Sequence, residues 1–303
     1  MRVFLTGATG LIGRALSASL LRDGHEVVAL SRSAAPAGLA VGCLAVQGDP
    51  AVPGAWQEEL SRCDACVNLA GEPVASGRWT EDRRKRIRDS RVLATRNVVT
   101  VIAGGGPSIL VNGSAIGYYG PCGDEVVDEA SPPGNDFLAH VAVEWEEAAR
   151  PAQKRARVVL LRTGIVLAAG GGALPKLALP FKMFVGGPIG DGSFWQSWLH
   201  LDDQVGILRL ALEDPLASGP VNATAPDPAR NRDLARAIGR VLGRPSRVAT
   251  PAFAIRAALG GMAEVVLASQ RVVPRRALSL GYRFRWPALE PALRDLLHQE
   301  RNT

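Results

Sequence analysis

Three glycines at a fixed spacing constrain this chain more than any other feature. Residues 7–13 read Gly7-Ala8-Thr9-Gly10-Leu11-Ile12-Gly13. This GxxGxxG turn directly follows a short apolar run, Arg2–Thr6, and directly precedes Leu11–Arg22, whose apolar residues recur at helical spacing. A strand, a glycine turn and a helix in that order form a phosphate-binding unit. Gly7 permits the tight turn, Gly10 lets the backbone approach a pyrophosphate, and Gly13 lets the helix pack close to the sheet. The helix N-terminus adds unpaired N–H groups and a partial positive charge. Gly7, Thr9, Gly10, Leu11, Ile12 and Gly13 are therefore the first candidate cofactor-binding residues.

The unit recurs without its glycines. Glu26–Leu30, Gly42–Val46, Asp64–Leu69, Ser108–Asn112 and Arg157–Leu161 are short apolar or β-branched runs. Glu81–Ala103 and Phe137–Ala149 read as helices between them. This alternation predicts an α/β fold, a Rossmann-type doubly wound sheet in the order 3-2-1-4-5-6, with the glycine turn at the switch point. Beyond about residue 170 the glycine clusters 170–172, 186–187 and 190–192 break the alternation. Asp203–Leu212, Asn231–Leu242, Ala252–Ala268 and Leu289–Leu297 read as helices of a smaller lobe. The expected division is a nucleotide-binding domain over 1–168 and a substrate-binding lobe over 169–303, with a possible return to the sheet.

Ligands of such sheets bind beyond the carboxyl ends of the strands. The second strand ends in Leu30-Ser31-Arg32-Ser33, where a carboxylate would favour NAD. Arg32 can fork onto a 2′-phosphate and the serine hydroxyls can donate to it, so NADP is expected over NAD. Asp49 follows the third strand, within reach of an adenine amino group. Leu69, Ala70 and Gly71 follow the fourth, where small residues leave backbone open to the cofactor.

Composition excludes several classes. With 47% hydrophobic and 21% charged residues among 303, the chain is neither disordered nor low-complexity. No apolar run reaches the roughly 18–20 residues of a membrane-spanning helix, and MRVFLTGATG is too glycine-rich for a signal peptide. Four cysteines suit a reducing, cytoplasmic setting. The four histidines show no metal-ligand spacing, and Cys63-Asp64-Ala65-Cys66 straddles the start of a strand. The net charge of +6 is spread along the chain. Its one dense run, Arg83 to Arg86 with Arg88 and Arg91, reads either as a solvated helix face or as an anion site. No aromatic residues interleave with it as nucleic-acid stacking would require.

The segments TGATGLIG, NLAG, SAIGYYG, LRTGIVL and SWLHLDD resemble the extended short-chain dehydrogenase/reductase superfamily of NAD(P)-dependent epimerases and dehydratases. The match is closer to a branch with an unusual catalytic motif, on NLAGEPVASGRWTEDRRKRIRDSRV, WEEAA, GGGALPKL, VNATAPDP and SQRVVPRRALSLGYRF. It covers essentially the whole chain. It implies an NADP-dependent oxidoreductase or epimerase-like enzyme acting on a small carbonyl, hydroxyl or nucleotide-sugar-like substrate, as a monomer or homodimer.

In that superfamily a Tyr and a Lys, spaced YxxxK on the helix before the sixth strand, move the proton. Aligned on Glu146, the helix here carries Leu138 and Ala142 at those positions. The usual Ser/Thr position holds Ala115, beside Ser114. The resemblance therefore leaves Tyr118 or Tyr119 as the expected proton donor, assisted by Ser114. His140 is either a second acid/base candidate or a surface residue. Trp79 with Arg78, and Trp195, Gln196 and Trp198, either line a substrate pocket or belong to the core. Loss of YxxxK also fits a non-catalytic NADP-binding sensor or scaffold.

Overall fold

A computed structural model describes residues 1–75 and 77–299. Seven parallel strands build the central sheet: β1 (Arg2–Thr6), β2 (Glu26–Ser31), β3 (Leu44–Gln47), β4 (Ala65–Asn68), β5 (Ile109–Ala115), β6 (Arg157–Thr163) and β7 (Gly219–Ala223). Their spatial order is 3-2-1-4-5-6-7, and every pairing is parallel. This is the expected doubly wound fold, extended by β7. The third strand runs two residues further along the chain than expected at its start. The fifth continues through Gly113, Ser114 and Ala115.

Alternating strand residues feed two cores, as a sheet covered on both faces requires. Val3 and Leu5 of β1 pack with Leu16 and Leu20 of α1 (Leu11–Arg22) and with Ile207 and Leu208 of α6 (Leu201–Glu213). Phe4 points the other way, onto Trp56 of α2 (Trp56–Ser61) and the cluster holding Val98 and Ile102 of α3 (Glu81–Ala103). Two helices that border the site start on side-chain caps. Thr80 accepts from Arg83 N at the start of α3, and Asp136 accepts from Ala139 N at the start of α4 (Phe137–Ala149).

After β6 the chain leaves the sheet through α5 (Leu174–Lys182), then returns with α6 and β7. The remaining lobe holds α7 (Asn231–Leu242), α8 (Ala252–Leu259), α9 (Ala263–Leu267), α10 (Arg275–Ser279) and α11 (Leu289–Gln299). The helix expected over Ala252–Ala268 is two helices. Gly260, at φ +57°, ends α8, and a short 3₁₀ turn precedes α9. Among the described residues no helix is long and apolar enough to cross a membrane.

Candidate cofactor and substrate cleft

Two adjoining hollows open at the carboxyl ends of the strands. The outer one, about 960 Å³, begins at the glycine turn. Gly7 adopts φ +71°, and a Cβ there would sit 2.8 Å from Leu69 O. A Cβ on Gly13 would sit 2.3 Å from Gly7 O, so only glycine lets α1 start this close to β1. Gly10 is the N-cap; it offers no side-chain cap, and no acidic residue occupies the first turn of α1. The free N–H groups and the helix dipole are left for an anion.

The NLAG turn is held from beneath by a buried polar network. Thr6 Oγ1 donates to Asn68 Oδ1 at 2.7 Å and accepts from Ala70 N at 3.0 Å. Asn68 Nδ2 donates to Thr95 Oγ1 and to Asn112 Oδ1 at 2.9 and 2.8 Å. The hollow then runs past Leu69, Ala70 and Gly71 to Ser31, Arg32 and Asp49. Leu11 and Ile12 stand apart from it: Ile12 lines the inner hollow, and Leu11 packs against Gly171 and Gly172. Arg32 has no ion pair among the described residues. Open backbone beside a free helix N-terminus, with a cation at the far end, fits an elongated dinucleotide.

The basic run of α3 divides between the two readings of it. Arg83 pairs with Glu72 and donates to Pro73 O at 2.6 Å. Arg84 stacks over Trp79 and Phe137, and Arg88 binds Glu144. Lys85 and Arg86 face the outer hollow.

Arg91, read from the sequence only as one member of the basic run, is the one that lines the inner hollow. Its Nη1 donates to Glu72 O at 3.0 Å and Ile87 O at 2.9 Å, and its Cζ lies 5.1 Å from the Trp145 ring centre. Burial, only partly offset by Glu72, lowers its pKa to about 10. No carboxylate forms an ion pair with it among the described residues. A signal was available: Ile87, Arg91, Ala94 and Val98 lie on one buried helical stripe, and only Arg91 breaks it.

The inner hollow, about 350 Å³, has mostly apolar walls: Trp79, Leu138, Val141, Ala142, Trp145 and Val265. Leu138 and Ala142, at the positions of the superfamily's Tyr and Lys, do face it. Trp195 and Gln196 line it too. Trp198 is core, 1% exposed, with Nε1 donating to Asp227 O. His140 is exposed on the outside of α4. His200 caps α6. Cys63 and Cys66 are free and buried, and no cluster of metal ligands occurs among the described residues.

Ser114 lines the inner hollow, with its Oγ donating to Glu146 Oε1 at 2.7 Å. The two tyrosines expected as proton donors do not line it. Tyr119 OH is committed to Asn222 Oδ1 at 2.7 Å and accepts from Arg162 Nη1 at 3.0 Å. Burial pushes its pKa up to about 12 despite Arg162. Arg162 sits over the Tyr118 ring, with Cζ 3.4 Å from its centre. Both rings brace the turn after β5.

The fold and its glycine-lined cleft define a Rossmann-type dinucleotide-binding protein. Its matches narrow that class. Residues 3–223 match the model of the NAD dependent epimerase/dehydratase family, and residues 250–296 match a domain of unknown function, DUF1731. The chain belongs to the NAD-dependent epimerase/dehydratase family. It is 42% identical to the chloroplastic epimerase family protein SDR39U1 homolog of Arabidopsis thaliana, over 98% of this chain and 87% of that protein. It is 37% identical to Bacillus subtilis epimerase family protein YfhF, over 98% of each. The crystal structure of human epimerase family protein SDR39U1 with NADPH superimposes with a TM-score of 0.88 at 35% identity, covering 98% of this chain and 99% of that one.

Proposed function

We propose that this chain is an NADP(H)-dependent oxidoreductase or epimerase-like enzyme acting on a small, largely apolar hydroxyl or carbonyl compound. The observation that carries the reading is the junction of the two hollows at Leu69, which lines both. The outer hollow fits the dinucleotide, with Gly7, Gly10 and the α1 N-terminus at the pyrophosphate and Ser31 and Arg32 at the 2′-phosphate. Asp49 faces the adenine end, and Arg91 supplies a further cation between the hollows. The human relative crystallised with NADPH supports this choice of cofactor. When bound, the cofactor supplies the hydride chemistry.

The inner hollow takes the substrate. A nucleotide sugar brings a diphosphate that needs several cations, and Arg91 is the one cation lining this hollow among the described residues. A compact apolar body suits its walls better. The test is NADPH titration followed by turnover of a panel of small alcohols and carbonyl compounds. Absence of NADPH binding at micromolar protein would overturn the cofactor assignment. A second reading, a non-catalytic NADP(H)-binding sensor, draws on Leu138 and Ala142 standing where a phenol and an ammonium usually face the substrate. NADPH binding without turnover of any panel member would favour it.

A further inference from the structure

Ser114 has one proton to donate, and its destination is visible. Oγ lies 2.7 Å from Glu146 Oε1. Glu146 is 3% exposed, and Arg162 holds both of its oxygens, Nε to Oε1 at 2.8 Å and Nη2 to Oε2 at 2.9 Å. A carboxylate gripped in this way by a guanidinium is ionised and only accepts. The Ser114 proton therefore lies on the bond to Glu146. Its lone pairs are what it has left, and no other group among the described residues bonds to Oγ.

Gln270 reaches the same state independently. Its Nε2 donates to Ile116 O and to Gly120 O, both at 3.0 Å. Both amide protons are committed, so its free polar atom on the inner hollow is Oε1, an acceptor. Three side-chain donors share the lining: Arg91, on the side of the cofactor hollow, the Gln196 amide, whose oxygen already accepts from Asn231, and the Thr163 hydroxyl, which accepts from Gln204; Asp136 and Glu264 are further acceptors at its rim.

We propose that Ser114 is the hydrogen-bond acceptor that selects the substrate. The inner hollow takes an alcohol on a small apolar body in preference to the matching ketone or ether. Glu146 is a positioning residue that keeps Ser114 an acceptor. A ketone oxygen brought to Ser114 meets lone pairs, whereas an alcohol O–H completes the bond. The assistance expected of Ser114 is then given through its lone pairs. It rests on the inner hollow being the substrate site and is independent of the cofactor assignment.

The experiment uses cofactor-free protein, in which no turnover occurs, and three rings of similar size: cyclohexanol, cyclohexanone and tetrahydropyran. Affinities are read by ligand-observed NMR. Cyclohexanol is expected to bind about tenfold tighter than the other two, the effect of one net hydrogen bond. Ser114→Ala is expected to lose most of that preference, with Gln270 Oε1 an acceptor that remains. In Glu146→Gln the new amide can donate to Ser114 and release its proton toward the hollow, so the order is expected to reverse. Thermal unfolding confirms that each variant is folded; Ser114→Ala carries the test if Glu146→Gln is not. Equal or tighter binding of cyclohexanone by wild type, an undiminished preference in Ser114→Ala, or binding of none of the rings overturns the proposal. NADPH titration of the same samples reports separately on the cofactor assignment and does not affect the ring order.

Discussion

Arg162 of β6 and Glu146 of α4 form a two-bond ion pair with both side chains at most 4% exposed. The pair ties the helix that walls the inner hollow to the sheet, and Ser114 and Tyr119 hang from its two ends. Removing one partner strands the other charge in a dry interior. Glu146→Ala is therefore expected to cost about 3–5 kcal/mol of folding stability. Urea denaturation measures this directly. A loss below about 1 kcal/mol would mean that water reaches Arg162.

Tyr119 separates a bracing role from a chemical one. Phe at this position keeps the ring contact with Tyr118 but leaves Asn222 Oδ1 and Arg162 Nη1 each short of a partner. Tyr119→Phe is expected to lose about 1–3 kcal/mol of stability while NADPH affinity and any turnover at low temperature persist. Abolished turnover in a variant with wild-type stability would return the phenol to the chemistry.

Arg32 is expected to set cofactor choice. It stands past the end of β2 beside Ser31, with no ion pair to hold it among the described residues. Arg32→Ala should weaken NADPH binding by about 1.5–3 kcal/mol, the range for a hydrogen bond to a charged group, and leave NADH nearly unchanged. Fluorescence titration of both cofactors at one ionic strength decides it. Equal wild-type affinity for the two would remove Arg32 from the 2′-phosphate.

What was legible in the chain divides by range. Local signals carried far: Gly7, Gly10 and Gly13 announced the turn, and the alternating β-branched runs announced six of the seven strands in their order. Gly219–Ala223 was not seen as a strand, because five residues with a glycine and a proline carry little periodicity; its pairing with β6 is settled by tertiary contacts. The same holds within the site. The absence of a Tyr and Lys from α4 could be read directly. That Tyr119 turns inward to Asn222, 103 residues along the chain, could not. Arg91 was not singled out because it was read with the rest of the basic run rather than on the buried stripe it interrupts beside Ile87.

Gly13 offers a steric test of the cofactor cradle. An added methyl would approach Gly7 O to 2.3 Å and Ala8 Cα to 2.8 Å, both backbone atoms that cannot swing away. Gly13→Ala should push α1 off the turn, costing about 1–3 kcal/mol as overpacking does and weakening NADPH at least as strongly as Arg32→Ala. The two differ in the cofactor compared: Gly13→Ala should weaken NADH as well. Unchanged affinity for both cofactors would show that the pyrophosphate does not lie on this turn.

His200 should give the fold its acid sensitivity. Its ring is 2% exposed and stacks on Trp286; Nδ1 accepts from Asp202 N, and Nε2 lies 3.3 Å from Asp295. Burial lowers its pKa below the usual value of 6.5, outweighing the pull of Asp202 and Asp295. Between the lowered folded value and 6.5 the unfolded chain binds a proton that the folded one does not. Stability from this group is then complete above pH 6.5 and is lost as pH falls below it, with a slope of up to about 1.4 kcal/mol per pH unit. His200→Asn keeps an N-cap for α6 but cannot titrate. Unfolding free energies measured from pH 7.5 to 5 should fall less steeply in His200→Asn than in wild type. Parallel curves would assign the acid sensitivity to other groups.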